Sequence, residues 1–158
     1  MNRRAGLVVV GLGNDLMSDE GIGLWVVRHL AGYPHRPADV ELAEGGTSPM
    51  DLVHLIAGRR KAVIVDCARM GSAAGTLRRF GPDDVRSMKT LAGLSLHEGD
   101  ALGVLALSRR LGECPAEVVL FGVEPELIAP GAQLSDLVQG RLGEYADAIR
   151  SEVEWPSV

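Results

Sequence analysis

Ala62-Val63-Ile64-Val65-Asp66 followed by Gly75-Thr76-Leu77-Arg78-Arg79-Phe80 is the stretch on which the fold turns. The first segment is apolar without alternation, the pattern of a strand covered on both faces of a sheet, and it delivers Asp66 to its carboxyl end. Residues 67–75 are too few for the crossover of a dozen or more residues that a parallel pairing needs. The strand over 75–80 should therefore run antiparallel to the rest.

Working outward, Leu7-Val8-Val9-Val10-Gly11-Leu12 has the same unbroken apolar character and reads as the first strand. Apolar residues at Ile22, Trp25, Val26, Val27 and Leu30 follow helical spacing, predicting a helix over 20–31 with Ser18 or Asp19 as N-cap and Gly32 near the C-cap. Val40-Glu41-Leu42-Ala43 reads as a more exposed second strand, and Ser48-Pro49 as the cap and first position of a helix reaching about Ala57. Pro82 opens a short helix, and Ser95-Leu96-His97-Glu98 has the form of a capping box leading into a helix through Arg110. Val118–Val123 is the fifth strand, and 135–152 the last helix. Strands alternating with helices predict a three-layer α/β/α sandwich: a five-stranded, mostly parallel twisted sheet with one antiparallel strand, in a single domain spanning 1–158.

Composition narrows the function. With 16 basic and 21 acidic residues the net charge is −5, a poor match for nucleic acid or an anionic membrane. The chain holds no apolar run of membrane-spanning length and no signal-peptide cleavage pattern, so a cytoplasmic location is expected. Two cysteines, Cys67 and Cys114, with no C-x-x-C pair, argue against a disulfide scaffold or a thiolate zinc site. The 20 glycines mark permissive backbone, and Gly11, Gly13, Gly21, Gly23, Gly45, Gly46, Gly93, Gly99 and Gly103 fall in segments predicted to ring the carboxyl edge of the sheet. That clustering predicts a cleft where a substrate backbone approaches closely.

Ligands of α/β sheets gather at the carboxyl edge, at the switch point of the strand order. Three groups should converge there: Glu20 at the start of the first helix, Asp66, and His97 in the first turn of the fourth helix. Two carboxylates and an imidazole suit nickel, zinc, iron or manganese with positions left open for another ligand. Each has an ordinary structural reading as well: dipole-favoured acids at a helix start, a loop cap, a surface histidine. The remaining histidines, His29, His35 and His54, are expected at the surface or in packing. Cys67, with His97 as base, is a variant nucleophile. Gly11-Leu12-Gly13-Asn14 invites a nucleotide-binding reading, but Leu16 stands where the G-x-G-x-x-G fingerprint needs its third glycine.

Taken together, Gly11-Leu12-Gly13-Asn14 through Ser18-Asp19-Glu20-Gly21-Ile22-Gly23, Gly45-Gly46-Thr47, the strand ending in Asp66, Leu96-His97 through Ala101, and Phe121-Gly122-Val123-Glu124-Pro125 resemble the hydrogenase maturation endopeptidases. These enzymes trim the C-terminus of the large subunit of nickel-iron hydrogenases, and the resemblance spans roughly residues 7–135. It implies a phosphorylase/hydrolase-like five-stranded mixed sheet between helical layers. It also implies that Glu20, Asp66 and His97 form the catalytic and metal-binding site, contacting nickel carried by the large-subunit precursor and replaceable by cadmium or zinc. The loop Glu44-Gly45-Gly46-Thr47 takes the place of the family's usual Asp-Gly-Gly-Thr, one methylene longer at the acid, as a substrate-binding segment. A monomer docking transiently on a larger substrate is adequate for this task, and a related peptidase with another protein substrate is the alternative.

Overall fold

A computed structural model describes residues 4–45, 49–87, 95–96 and 101–157. Five strands form the main sheet: β1 (Leu7–Gly11), β2 (Val40–Glu44), β3 (Lys61–Arg69), β4 (Leu77–Phe80) and, after the two-residue β5 (Ser95–Leu96), β6 (Glu117–Val123). Their order is β2-β1-β3-β6-β4, all parallel except β4, which pairs antiparallel with β6 through Leu77↔Val123 to Phe80↔Leu120. The short link after Asp66 thus has the consequence expected of it. The chain moves from β1 outward to β2 and returns to place β3 on the other side of β1, so the switch point lies between β1 and β3.

Alternation along the strands builds two cores. Val9, Val63, Val65, Val119 and Phe121 face helices α1 (Ile22–Ala31), α5 (Asp136–Gly140) and α6 (Leu142–Glu152), where Ile22, Val26, Leu30, Tyr145 and Ile149 cover them. Val8, Val10, Ala62, Ile64 and Leu120 face α2 (Pro49–Ile56), α3 (Pro82–Ser87) and α4 (Ala101–Arg110), under Leu52, Ile56, Val85 and Leu105. The three-layer arrangement follows from this: the central parallel strands β1, β3 and β6 are apolar on both faces and need a helical cover on each. No helix of the described residues is long and apolar enough to cross a membrane.

Four expected boundaries change. The segment before α1 is a separate 3-10 turn, Ser18–Gly21, and neither Ser18 nor Asp19 caps α1, whose N-cap is Gly21 with no side-chain bond. Ser95 and Leu96 lie in β5, with Leu96 paired to Ala68 of β3, so Ser95 is a strand residue; His97 and Glu98 of the expected capping box lie outside the described residues, and α4 spans Ala101–Arg110. The last helix is two: Ser135 caps α5, accepting from Val138 N, and the chain breaks at Arg141 before α6. Finally, β3 runs on to Arg69, past Asp66, because β6 continues to pair with it through Asp66↔Gly122 and Cys67↔Val123.

Candidate active site at the carboxyl edge

Gly11, the last residue of β1, pairs with Val65, so Asp66 is the first residue of β3 to project past its neighbour at the switch point. Its side chain is completely buried. Oδ1 accepts the Cys67 backbone N–H at 2.8 Å, and Oδ2 has no hydrogen-bond partner among the described residues. Burial drives the Asp66 carboxyl well above the usual carboxylate range; the Cys67 N–H opposes this and the negative charge of Glu20 adds to it. Glu20 is itself 3% exposed, held in the 3-10 turn by its N–H to Met17 O and its carbonyl to Asn14 N. Two buried acids that feel one another, one with an idle oxygen, make a site that gains from a proton or a cation.

The turn that carries Glu20 is fastened from one side. Asp19, 1% exposed, accepts four hydrogen bonds: Oδ2 from Glu126 N (2.9 Å), Leu127 N (2.9 Å) and Ser135 Oγ (2.8 Å), and Oδ1 from Ser135 N (2.8 Å). Ser18 N–H bonds Gly131 O and Ser18 Oγ donates to Ala129 O, while Gly131 N–H returns to Leu16 O. Ser18 sits at φ 53°, a left-handed conformation that a non-glycine residue holds only when its surroundings fix it. On the neighbouring loop, buried Glu124 accepts from Met70 N at 2.7 Å and Ser72 N at 3.2 Å, tying the β3–β4 link to the end of β6. These anchoring roles of Asp19 and Glu124 were not readable from spacing, since their partners lie between 52 and 116 residues away.

Comparison with known proteins decides the family. A family model described as hydrogenase maturation protease matches residues 24–152. The chain belongs to the hydrogenase maturation protease family. It is 32% identical over 137 residues to the hydrogenase 2 maturation protease of Escherichia coli K12, covering 86% of this chain and 83% of that protein. It is also 32% identical over 151 residues to the hydrogenase expression/formation protein HupD of Rhodobacter capsulatus, covering 94% of this chain and 72% of the relative. Against HupD of Thiocapsa roseopersicina the aligned part is 62% of the relative's length. Among solved structures, the hydrogenase maturating endopeptidase HybD from E. coli superposes with a TM-score of 0.83 at 27% identity, covering 94% and 91% of the two chains. The maturation protease HycI from Thermococcus kodakarensis gives 0.75 at 25% identity, covering 95% and 93%.

Within this protease fold, Glu20 and Asp66 come together at the switch point, while His97, Gly46 and Thr47 lie outside the described residues. Among the described residues no group of three or more His, Cys, Asp or Glu side chains is placed to hold a metal. Glu44, expected to meet substrate, is half-exposed and pairs with Arg28, which bonds Glu44 Oε1 through Nη2 at 2.7 Å and Asp15 Oδ2 through Nη1 at 3.0 Å. The glycines have internal reasons. A Cβ on Gly11 would strike the Gly23 carbonyl, one on Gly13 the Glu20 carbonyl, and one on Gly45 the Leu12 side chain. These glycines let α1 and the flanking loops lie against the sheet; Gly46, Gly93 and Gly99 of the expected cleft lie outside the described residues. The nucleotide reading loses support here: Leu12 N–H is spent on Val65 O and Asn14 N–H on Glu20 O, so two amides of the loop are committed within the protein.

Cys67 is 1% exposed in the core on the α1 side. Burial, then the negative charges of Asp66, Glu20 and Asp19, push its thiol far above the usual range, the reverse of what an activated nucleophile needs. His29, His35 and His54 are exposed, as expected; His29 Nε2 lies 3.1 Å from Tyr33 Oη.

Proposed function

We propose that this chain is a cytoplasmic, monomeric endopeptidase that removes the C-terminal extension from the large-subunit precursor of a nickel-iron hydrogenase. In this reading the nickel already held by the precursor is bound by Glu20, Asp66 and His97. One observation carries it: Asp66 Oδ2, fully buried at the switch point beside Glu20, is left without a partner among the described residues. A protein does not bury an idle carboxylate oxygen without a use for it, and hard or borderline divalent ions favour such oxygens alongside imidazole. Family membership and the names of the relatives supply the reaction class and the precursor.

Nickel presented by the precursor supplies Lewis acidity toward the scissile carbonyl or the attacking water. The chain's own residues do the rest. One carboxylate, Asp66 by preference because burial raises its proton affinity, would act as base toward the attacking water and return the proton to the leaving amine, rather than stay a permanent nickel ligand. Glu20, fixed by the 3-10 turn, provides the second carboxylate.

The test is to mix the purified chain with nickel-loaded and nickel-free precursor and weigh the products. Only the loaded precursor should be shortened, and Asp66→Asn and His97→Ala should each lower cleavage by about 100-fold or more. Near-normal cleavage by either variant, or equal cleavage of both precursors, would overturn the metal-sensing reading.

A further inference from the structure

We infer that Asp19 is a positioning residue for the metal site: its carboxylate sets where Glu20 can reach. The inference rests on the reading that Glu20 and Asp66 meet the precursor's nickel.

Glu20 belongs to a four-residue turn, Ser18–Gly21, too short to hold itself rigid. Its anchorage is the adjoining side chain. All four hydrogen bonds to the Asp19 carboxylate come from the far segment, two from the consecutive N–H groups of Glu126 and Leu127 and two from Ser135. The same carboxylate therefore joins three things: the turn that bears Glu20, the loop that leaves β6, and, through Ser135 as N-cap, the start of α5. Backbone bonds close the circuit, with Asp19 N–H on Leu127 O and the Met17↔Gly131 bridge. These bonds hold Asp19 to the segment after β6, while the charge of its neighbour Glu20 acts on Asp66.

The donors explain why an acid is required. Four N–H and O–H groups converge on two oxygens, and an amide can present only one oxygen to them. In Asp19→Asn the oxygen can stay with Glu126, Leu127 and Ser135 Oγ, but the amide nitrogen then faces Ser135 N–H, donor against donor. Asp19→Ala removes the grip entirely. Ser135→Ala deletes the hydroxyl donor while keeping the backbone one, a gentler disturbance of the same contact.

Outer partners of metal-binding groups typically govern affinity or activity by about 10- to 100-fold. The experiment measures Ni2+ and Cd2+ binding to the purified chain by titration calorimetry, with thermal unfolding and with kcat and KM on nickel-loaded precursor. Wild type, Asp19→Asn, Ser135→Ala and Trp155→Phe are compared. Trp155→Phe removes a bond to Pro34 O at the other end of the sheet and serves as a stability control.

The expected result is weakened metal binding and lowered kcat in Asp19→Asn, about 10-fold or more, a smaller loss in Ser135→Ala, and a KM for precursor that stays near wild type in both. Trp155→Phe should lose stability without losing metal affinity. If Asp19→Asn only melts earlier, with metal affinity and kcat unchanged, Asp19 is structural and the inference is overturned. If Asp19→Asn does not fold, Ser135→Ala decides between the same two outcomes. Failure of the wild-type chain to bind either metal would instead count against the metal-site reading itself, so the two failures are told apart.

Discussion

Gly23 offers a substitution whose sign separates two accounts of the glycines. It stands in the first turn of α1, where helix propensity alone favours alanine by about 1 kcal/mol. The structure says otherwise. A Cβ at Gly23 would overlap the carbonyl oxygens of Leu12 and Val65 and would lie 2.6 Å from Leu12 N, 0.8 Å short of the 3.4 Å at which ordinary contact begins. All three atoms are backbone, so no side chain can swing aside, and α1 must lift from β1 and β3. Overpacking of this kind costs about 1–3 kcal/mol, and the rigid neighbours place Gly23→Ala toward the upper end. Net of the propensity gain, about 2 kcal/mol should be lost, which lowers Tm by roughly 4–8 °C in a chain of this size. Gly143→Ala in α6 is the matched control: nothing lies within 4 Å of its Cβ position, so alanine should raise Tm by roughly 2–4 °C. Both are read by circular-dichroism melts at one protein concentration. A Gly23→Ala chain as stable as wild type would refute the close-packing account and restore the view that this glycine serves an approaching substrate.

Two further outcomes follow from the charges and thiols. Burial alone would raise the Glu152 carboxyl, but hydrogen bonds and charge from Arg79 and Lys61 outweigh it and hold the group below its ordinary value. Its contribution to stability is therefore complete above the unfolded value, about pH 4.3, and fades as pH falls through the lower folded value; urea midpoints from pH 7 to 3 should fall less steeply in Glu152→Gln than in wild type. Cys67→Ala should retain cleavage of loaded precursor within about threefold while costing about 1 kcal/mol of stability, and iodoacetamide should label Cys114 well before Cys67 in the folded chain. A Cys67→Ala enzyme without activity but with a native melt would revive the thiol as nucleophile.

How far the sequence could be read follows from which interactions are local. The apolar runs at 7–12, 62–65 and 118–123 are long enough to specify buried strands, and the nine-residue link after Asp66 leaves antiparallel pairing as its only economical outcome. The placement of Glu20 and Asp66 at one edge followed from the same logic, because a parallel sheet brings the ends of its strands to one side. What escaped was set by partners distant in the chain. Ser95-Leu96-His97-Glu98 satisfies a local capping rule, yet Ser95 and Leu96 pair with Arg69 and Ala68 as a strand, a contact set by residues distant in the chain.

Asp19 is the more instructive case. By local rules an acid ahead of a helix is a dipole-stabilised N-terminal residue, and its neighbour Glu20 has the same claim. Nothing in Ser18-Asp19-Glu20-Gly21 distinguishes the acid that is held by Glu126, Leu127 and Ser135 from the one whose charge acts on Asp66. The division of labour exists only once the segment after β6 has folded back over the turn. Both adjacent carboxylates are buried, and four donors satisfy that of Asp19 within the protein. In the reading proposed above, the chemistry of the edge thus depends on a polar contact that carries no chemistry of its own.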